Sequence, residues 1–134
     1  MRKLFFGALI IAACACGAAA QEPQANANAN PPAIPNMGHK PDGPNGLGRL
    51  DARVFDEAGQ PLAGALVKLE STRTDGFFCE SWNSSDEHGV AVLPPIHMGS
   101  LRVTIKAKGY ETQKLTLDPA TLGEPVRITL KKSD

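Results

Sequence analysis

Four side chains of this sequence are of types that bind copper. Cys79, His88, His97 and Met98 would supply the thiolate, imidazole and thioether ligands of a mononuclear copper site. In such sites the cysteine, one histidine and the methionine share one tight loop, whereas these residues are spread over separate predicted turns. His88 beside Gly89 and His97 close to Gly99 are typical of exposed loop residues. The spacing therefore predicts no metal ligands and no cofactor.

A second set of reactive side chains lies at Ser84, Ser85, Asp86 and His88. Neighbouring loop positions do not by themselves place a nucleophile against a base. The sequence also shows no paired carboxylates, no Cys/His cluster with ligand spacing and no glycine-rich phosphate loop. These features favour a non-catalytic protein. A small periplasmic metal-binding or hydrolytic protein that uses the loop histidines and the cysteine is the alternative.

Aromatic residues mark the region from Asp75 to His88 as a candidate binding patch. Phe77, Phe78 and Trp82 occur there beside Asn83, in the longest stretch without a regular pattern. Such rings could stack on sugars or dock a peptide, and neighbouring polar groups could orient the ligand. The alternative is that the rings fill the interior of the fold. The sequence thus predicts either a protein or a carbohydrate partner at this patch, or an aromatic contribution to the core.

Alternation of apolar and polar residues predicts the elements that would position these side chains. Leu50, Ala52 and Val54 alternate with polar residues in a first strand, and similar runs follow between turn signals. The predicted strands after the first begin near Ala65, Phe77, Val90, Leu101, Tyr110 and Val126. One helical turn is expected from Asp118 to Leu122. Seven short strands predict an all-β, antiparallel β-sandwich over residues 49–134.

The spacing of glycine, proline and aspartate residues at the predicted turns is similar to that of a known domain family. The run Val54-x-Asp56-x-x-Gly59-x-Pro61-Leu62-x-Gly64-Ala65 resembles the opening of carboxypeptidase regulatory-like domains, also called transthyretin-like or prealbumin-like. Asp86-x-x-Gly89 and the run from Leu101 to Gly109-Tyr110 resemble the second half. The resemblance covers about residues 49 to 131. It implies a prealbumin-like sandwich used as an accessory or interaction domain.

Two details qualify that resemblance. Hydroxyisourate hydrolases share the transthyretin fold but end in Tyr-Arg-Gly-Ser, whereas this chain ends Leu130-Lys131-Lys132-Ser133-Asp134, so their activity is not expected. Ala91 and Leu101 stand where most relatives have aromatic residues. The core is therefore expected to contain fewer aromatics, unless Phe77, Phe78 or Trp82 compensates.

The first 20 residues have the pattern of a signal peptide. Arg2 and Lys3 precede an apolar run from Leu4 to Ala13, and residues 18–20 are all alanine before Gln21. The run is too short for a transmembrane anchor. We therefore expect an exported protein in the periplasm, the cell envelope or the extracellular medium.

Cysteine placement leaves two forms of the mature N-terminus open. Ile11-Ala12-Ala13-Cys14 resembles a bacterial lipobox, so Cys14 could carry a lipid anchor, which would be the only contact with a membrane. Cleavage before Gln21 would instead leave Cys79 as the sole thiol. That thiol would then be buried on a strand or would pair with another chain.

The segment between the signal peptide and the sandwich has a different composition. Residues 21–48 contain an Ala-Asn repeat and six prolines between Pro23 and Pro44, which predicts a disordered linker. The chain has 14 basic and 14 acidic residues, and removal of the leader leaves 12 basic residues. That mildly acidic balance argues against a nucleic-acid partner.

Overall fold

The computed structural model describes residues 33–134. The predicted signal peptide, Cys14 and the linker as far as residue 32 lie outside the described residues. Contacts group Ile34–Asp134 as one unit. Within the described part of the chain, no helix is long and apolar enough to cross a membrane.

Nine strands and one 3-10 helix make up the domain. The strands are β1 (Leu47–Gly48), β2 (Asp51–Phe55), β3 (Leu66–Thr72), β4 (Phe78–Ser84), β5 (Val90–Val92), β6 (Ile96–His97), β7 (Ser100–Lys106), β8 (Gln113–Leu117) and β9 (Val126–Thr129). The helix, Pro119–Gly123, follows Asp118, whose side chain accepts a hydrogen bond from the Ala120 N–H. It is the helical turn expected from the sequence.

The strands form a four-stranded sheet, β4-β3-β7-β8, a three-stranded sheet, β5-β2-β9, and the small pair β1-β6. The predicted all-β sandwich is confirmed, with nine strands rather than seven. The seven predicted strands are all present, and the additional pair has two residues in each strand, too few to show alternation. Strands β2 and β9 run parallel, with Ala52 opposite Val126, and the other neighbouring pairs run antiparallel.

Aliphatic side chains on the facing sides of the strands form the core. The predicted alternation is observed in β3 and β7, where Val67, Leu69, Val103 and Ile105 are fully buried. Burial of a Val, Leu or Ile side chain contributes about 1.5–3 kcal/mol. Within the described residues the buried core contains no phenylalanine or tryptophan, so Phe77, Phe78 and Trp82 do not fill it.

The prediction of disorder up to Gly48 does not hold for the last part of the linker. His39 and Arg49 exchange two backbone hydrogen bonds of 2.9 and 2.8 Å, and β1 pairs with β6. Asn36 donates from its side chain to the Gly123 carbonyl over 2.7 Å. The ordered domain therefore begins near Asn36, well before the boundary at residue 49 that the change in composition indicated.

A buried ion pair holds this segment against β2. The side chain of Asp51 is 0% exposed, and its two oxygens accept from Arg53 Nε at 2.7 Å and Nη2 at 2.8 Å. Its Oδ2 also accepts the Met37 N–H at 2.9 Å, while Arg53 Nη2 donates to the Pro35 carbonyl at 3.1 Å. Each group of the pair thus bonds the backbone of the preceding segment. We call this arrangement the N-terminal latch.

Candidate binding surface

The predicted patch lies on strand β4, at one edge of the four-stranded sheet. The strand predicted to begin near Phe77 is observed as Phe78–Ser84, which is paired with β3 over its full length. Successive side chains of a strand point to opposite faces. The even-numbered residues of β4 therefore point outwards, and the odd-numbered residues point towards the other sheet.

The three aromatic residues of the predicted patch are exposed. Phe77 is 58% exposed, Phe78 52% and Trp82 58%. Phe78 and Trp82 share the outer face of β4, about 13 Å apart at the usual rise of a strand. Phe77 lies in the preceding turn, with its ring centroid 5.7 Å from the guanidinium carbon of Arg73. The interpretation of these rings as core residues is therefore wrong, and their surfaces are open to a ligand.

Asn83 belongs to the opposite face. Its amide nitrogen donates to the Val92 carbonyl at 2.9 Å, and its amide oxygen accepts the Ser84 N–H. Ser81 and Cys79, which face the same way, donate to the carbonyls of Pro94 at 2.8 Å and His97 at 3.4 Å. These three side chains tie β4 to residues 92–97. Asn83 is therefore a structural residue and not part of the exposed aromatic patch.

Trp82 is flanked by charged groups on the outer face. Lys68 on β3 lies directly opposite Trp82, and Glu80 precedes Trp82 by two residues on the same side of β4. Lys68 Nζ is 3.0 Å from Glu80 Oε2 and 3.3 Å from Glu70 Oε1. Hydrogen bonds from Lys68 to Glu80 and Glu70 raise the pKa of Lys68 above its ordinary value. We call Trp82, Phe78, Lys68, Glu70 and Glu80 the outer-face platform.

The same face continues across β3, β7 and β8 as two shallow depressions. The first, of about 210 Å³, is lined in part by Phe78, Thr72 and Arg102. The second, of about 360 Å³, is lined in part by Lys68, Thr104 and Lys114, which form one row across the sheet with Trp82. Hydroxyl, carboxylate and cationic groups thus extend the platform beyond the aromatic rings.

The four residues considered as copper ligands occupy different environments. Met98 is buried in the core, and the thiol of Cys79, half-buried, contacts the His97 carbonyl and not its ring. His97 Nδ1 is 2.8 Å from the Asn45 carbonyl oxygen. His88 lies on a different turn from His97, and its Nε2 is 3.4 Å from Glu87 Oε1. Within residues 33–134, no three Cys, His, Asp or Glu residues are grouped as metal ligands would be.

The residues considered for hydrolysis are occupied by local structural contacts. Ser85 is buried, and its hydroxyl donates to the Leu62 carbonyl at 2.6 Å and accepts the Ala65 N–H at 2.9 Å. Asp86 Oδ1 accepts the backbone N–H groups of His88 and Val90. These hydrogen bonds hold the turn between β4 and β5. The contacts of Ser85 and Asp86 involve the backbone, and the His88 ring does not take part in them.

Sequence reasoning missed the charged half of the platform. Alternation with Val67 and Leu69 indicates only that Lys68 and Glu70 lie on the polar side of a strand, and it does not relate them to Glu80. A signal was present, because Phe78, Glu80 and Trp82 alternate with Cys79, Ser81 and Asn83. Because Phe77 and Phe78 are adjacent, the sequence does not show which side of this strand faces the core. The pairing of Lys68 with Trp82 depends on strand register, which no local pattern fixes.

Comparison with known proteins agrees with the fold. No family model matches the chain, and no curated protein matches it in sequence. Among solved structures, 3-chlorocatechol 1,2-dioxygenase from Rhodococcus opacus 1CP is similar, with a TM-score of 0.50 and 16% sequence identity. The match covers 63% of this chain and 60% of the dioxygenase chain. At this level of identity the likeness concerns the sandwich fold alone.

Proposed function

We propose that this protein is an exported, non-catalytic binding module that recognises a glycan of the bacterial cell envelope through the outer-face platform. The observation that carries the proposal is the exposure of Trp82 and Phe78 on one regular sheet face, with Lys68 and Glu80 beside the indole. The resemblance to carboxypeptidase regulatory-like domains supports an accessory role of this kind. The signal-peptide pattern supports export.

The chemistry of the platform favours a sugar over a protein surface. An aromatic ring offers an apolar face, and the neighbouring ammonium and carboxylate groups can exchange hydrogen bonds with hydroxyls. A protein interface buries about 1,200–2,000 Å² and is depleted of charged residues at its centre. Here Lys68, Glu70 and Glu80 lie among the aromatic residues, which is not typical of the centre of a protein interface.

The charged groups of the outer face further favour a glycan. Lys68 is paired with Glu70 and Glu80, and Arg102 lies directly opposite Glu70 on β7. These two cationic and two anionic groups lie side by side, and Lys106 and Lys114 add two cations on the same face. Hydroxyl groups of a sugar can use both signs of charge as hydrogen-bond partners.

Affinity electrophoresis through gels that contain isolated envelope polysaccharide tests the proposal. The intact protein is expected to be retarded, and Trp82→Ala is expected to migrate at the rate seen without polysaccharide. Asn83→Ala is the matched control, because Asn83 is adjacent on β4 but its side chain points to the other sheet. Equal retardation of the wild-type protein and Trp82→Ala would exclude this platform. Binding to envelope proteins without any retardation by polysaccharide would favour a protein partner.

Export and anchoring are tested by the intact mass of the protein from membrane and soluble fractions. An acylated mass that begins at Cys14, found in membranes, would identify a lipid-anchored module. A mass that begins near Gln21, found in the soluble fraction, would identify a freely diffusing module. An unprocessed chain in the cytoplasm would contradict the proposed location.

A further inference from the structure

A second candidate site lies where the ordered linker segment joins the sandwich. It is a cleft of about 530 Å³, within the range of small-molecule sites, lined by Gly46, Gly48 and six larger residues: His39, Asp42, Leu47, Arg49, Pro95 and His97. The backbone register explains why these side chains converge. His39 pairs with Arg49, and Leu47 pairs with His97. Since residues 47 and 49 lie on one side of the same extended segment, all four side chains share a face.

The opposite side of this segment is anchored in the core, which fixes the floor of the cleft. Gly48 is buried, and a Cβ at this position would lie 2.8 Å from Met98 Cγ and 3.0 Å from the His39 carbonyl oxygen. The Met98 N–H donates to the Gly46 carbonyl at 2.8 Å. Three chain segments are thus held together by backbone hydrogen bonds. The cleft is preorganised by the fold and does not depend on side-chain packing alone.

Polar side chains around the cleft can still form hydrogen bonds or ion pairs with a ligand. Within residues 33–134, the Arg49 guanidinium and the Asp42 carboxylate form no salt bridge. The Asn45 carbonyl can only accept, so Nδ1 of His97 carries a hydrogen, and Nε2 of the neutral ring is left as an acceptor. The cleft therefore offers a guanidinium cation, a carboxylate and an imidazole acceptor around apolar surface from Leu47 and Pro95.

From this arrangement we infer that the cleft binds a small apolar zwitterion, namely an amino acid or a short peptide with an apolar side chain. The ligand carboxylate pairs with Arg49, for which the planar guanidinium is well suited. The ligand ammonium group pairs with Asp42 and donates to His97 Nε2, and its side chain lies against Leu47 and Pro95. This site is separate from the outer-face platform and does not depend on the proposed glycan function.

The test is a titration of the isotope-labelled chain, followed by backbone amide NMR, with the dipeptide leucyl-leucine and with free leucine as probes. We expect the largest shifts at Gly46, Leu47, Gly48 and His97. N-acetyl-leucyl-leucine, which lacks the ammonium group, and leucyl-leucine amide, which lacks the carboxylate, should each bind at least tenfold more weakly than the dipeptide. A stronger response to leucine than to the dipeptide would identify the free amino acid as the ligand, and the reverse order would identify a peptide.

Variants distinguish this site from nonspecific association. Arg49→Gln and Asp42→Asn should each weaken leucyl-leucine binding about tenfold or more, the loss of one charge-assisted contact. Arg127→Gln is the matched control, because Arg127 is an exposed arginine on β9 that does not line the cleft and should leave the titration unchanged. An unperturbed amide spectrum outside the cleft verifies that each variant is folded. Absence of shifts with both probes, or equal binding of the blocked peptides, would overturn the inference.

Discussion

Asp51 and Arg53 form a two-bond ion pair on β2, in which both residues also bond the backbone of the preceding segment. Asp51 is buried, so removal of its carboxylate would leave the Arg53 charge and the Met37 N–H without their partner. Asp51→Ala is expected to lower the free energy of unfolding by about 3 kcal/mol. Thermal unfolding followed by circular dichroism measures the change. Glu57→Ala, in an exposed turn, is the control and should change stability by no more than about 0.5 kcal/mol.

The latch also predicts a loss of stability in acid. Burial alone would raise the pKa of Asp51, but the hydrogen bonds from Arg53 and Met37, together with the Arg53 charge, hold that pKa below its ordinary value. The native state therefore binds this proton less readily than the unfolded chain does. Its contribution to stability is complete above the unfolded pKa, about 4, and is lost as the pH falls through the lowered native pKa. Chemical denaturation between pH 7 and pH 2 measures how the free energy of unfolding falls with pH. This fall should be smaller in Asp51→Asn than in the wild-type protein, and an equal fall in both would contradict the role of the latch.

Two substitutions separate the core from the outer face. Leu69→Ala removes a fully buried side chain from β3 and should cost about 2–5 kcal/mol. Trp82→Ala removes a larger but exposed side chain and should change stability by about 0.5 kcal/mol or less. Urea denaturation curves measure both. A loss from Trp82→Ala as large as that from Leu69→Ala would mean that the indole is a structural residue.

A close backbone approach makes Gly99 sensitive to substitution. A Cβ at this position would lie 2.0 Å from the Thr72 carbonyl oxygen and 2.7 Å from the Arg73 Cα, so the chain would have to move. Gly99→Ala should lower the midpoint of thermal unfolding by at least about 5 °C, equivalent to roughly 1 kcal/mol. Gly43→Ala is the matched control, because a Cβ there meets no atom within 4 Å. Equal midpoints for the two variants would show that β3 and β7 can separate at this end.

The fold could be predicted from the sequence because the alternation of apolar and polar residues is a local signal. Leu50, Ala52 and Val54 are all buried as their spacing predicts, and so are the apolar positions of β3 and β7. Local signals did not reveal the latch, because Asp51 is a charged residue on the polar side of its strand. Its burial depends on a segment whose proline-rich composition predicts disorder. Only the tertiary structure brings the Met37 N–H to Asp51 and the Pro35 carbonyl to Arg53.

The residues of the candidate sites could be predicted only in part, for a related reason. The sequence shows which residues of β4 are aromatic, but their exposure depends on which face of the strand they occupy. Asn83 was assigned to the patch because it is adjacent in sequence, although adjacent strand residues point to opposite faces. The cleft at Arg49 joins three chain segments, and the pairing of His39 with Arg49 and of Leu47 with His97 becomes apparent only in the folded chain.

Intrinsic fluorescence gives the most direct test of the platform, because Trp82 is the one tryptophan in the sequence. Emission from the free protein should be that of a solvated indole, since this side chain is largely exposed. Titration with soluble oligosaccharides released from envelope polysaccharide is predicted to shift the emission to shorter wavelength and to saturate, as a sugar covers the ring. A Phe78→Ala variant should show a weaker saturating response. An emission spectrum that stays unchanged throughout the titration, while affinity electrophoresis still detects binding, would contradict a glycan site at Trp82.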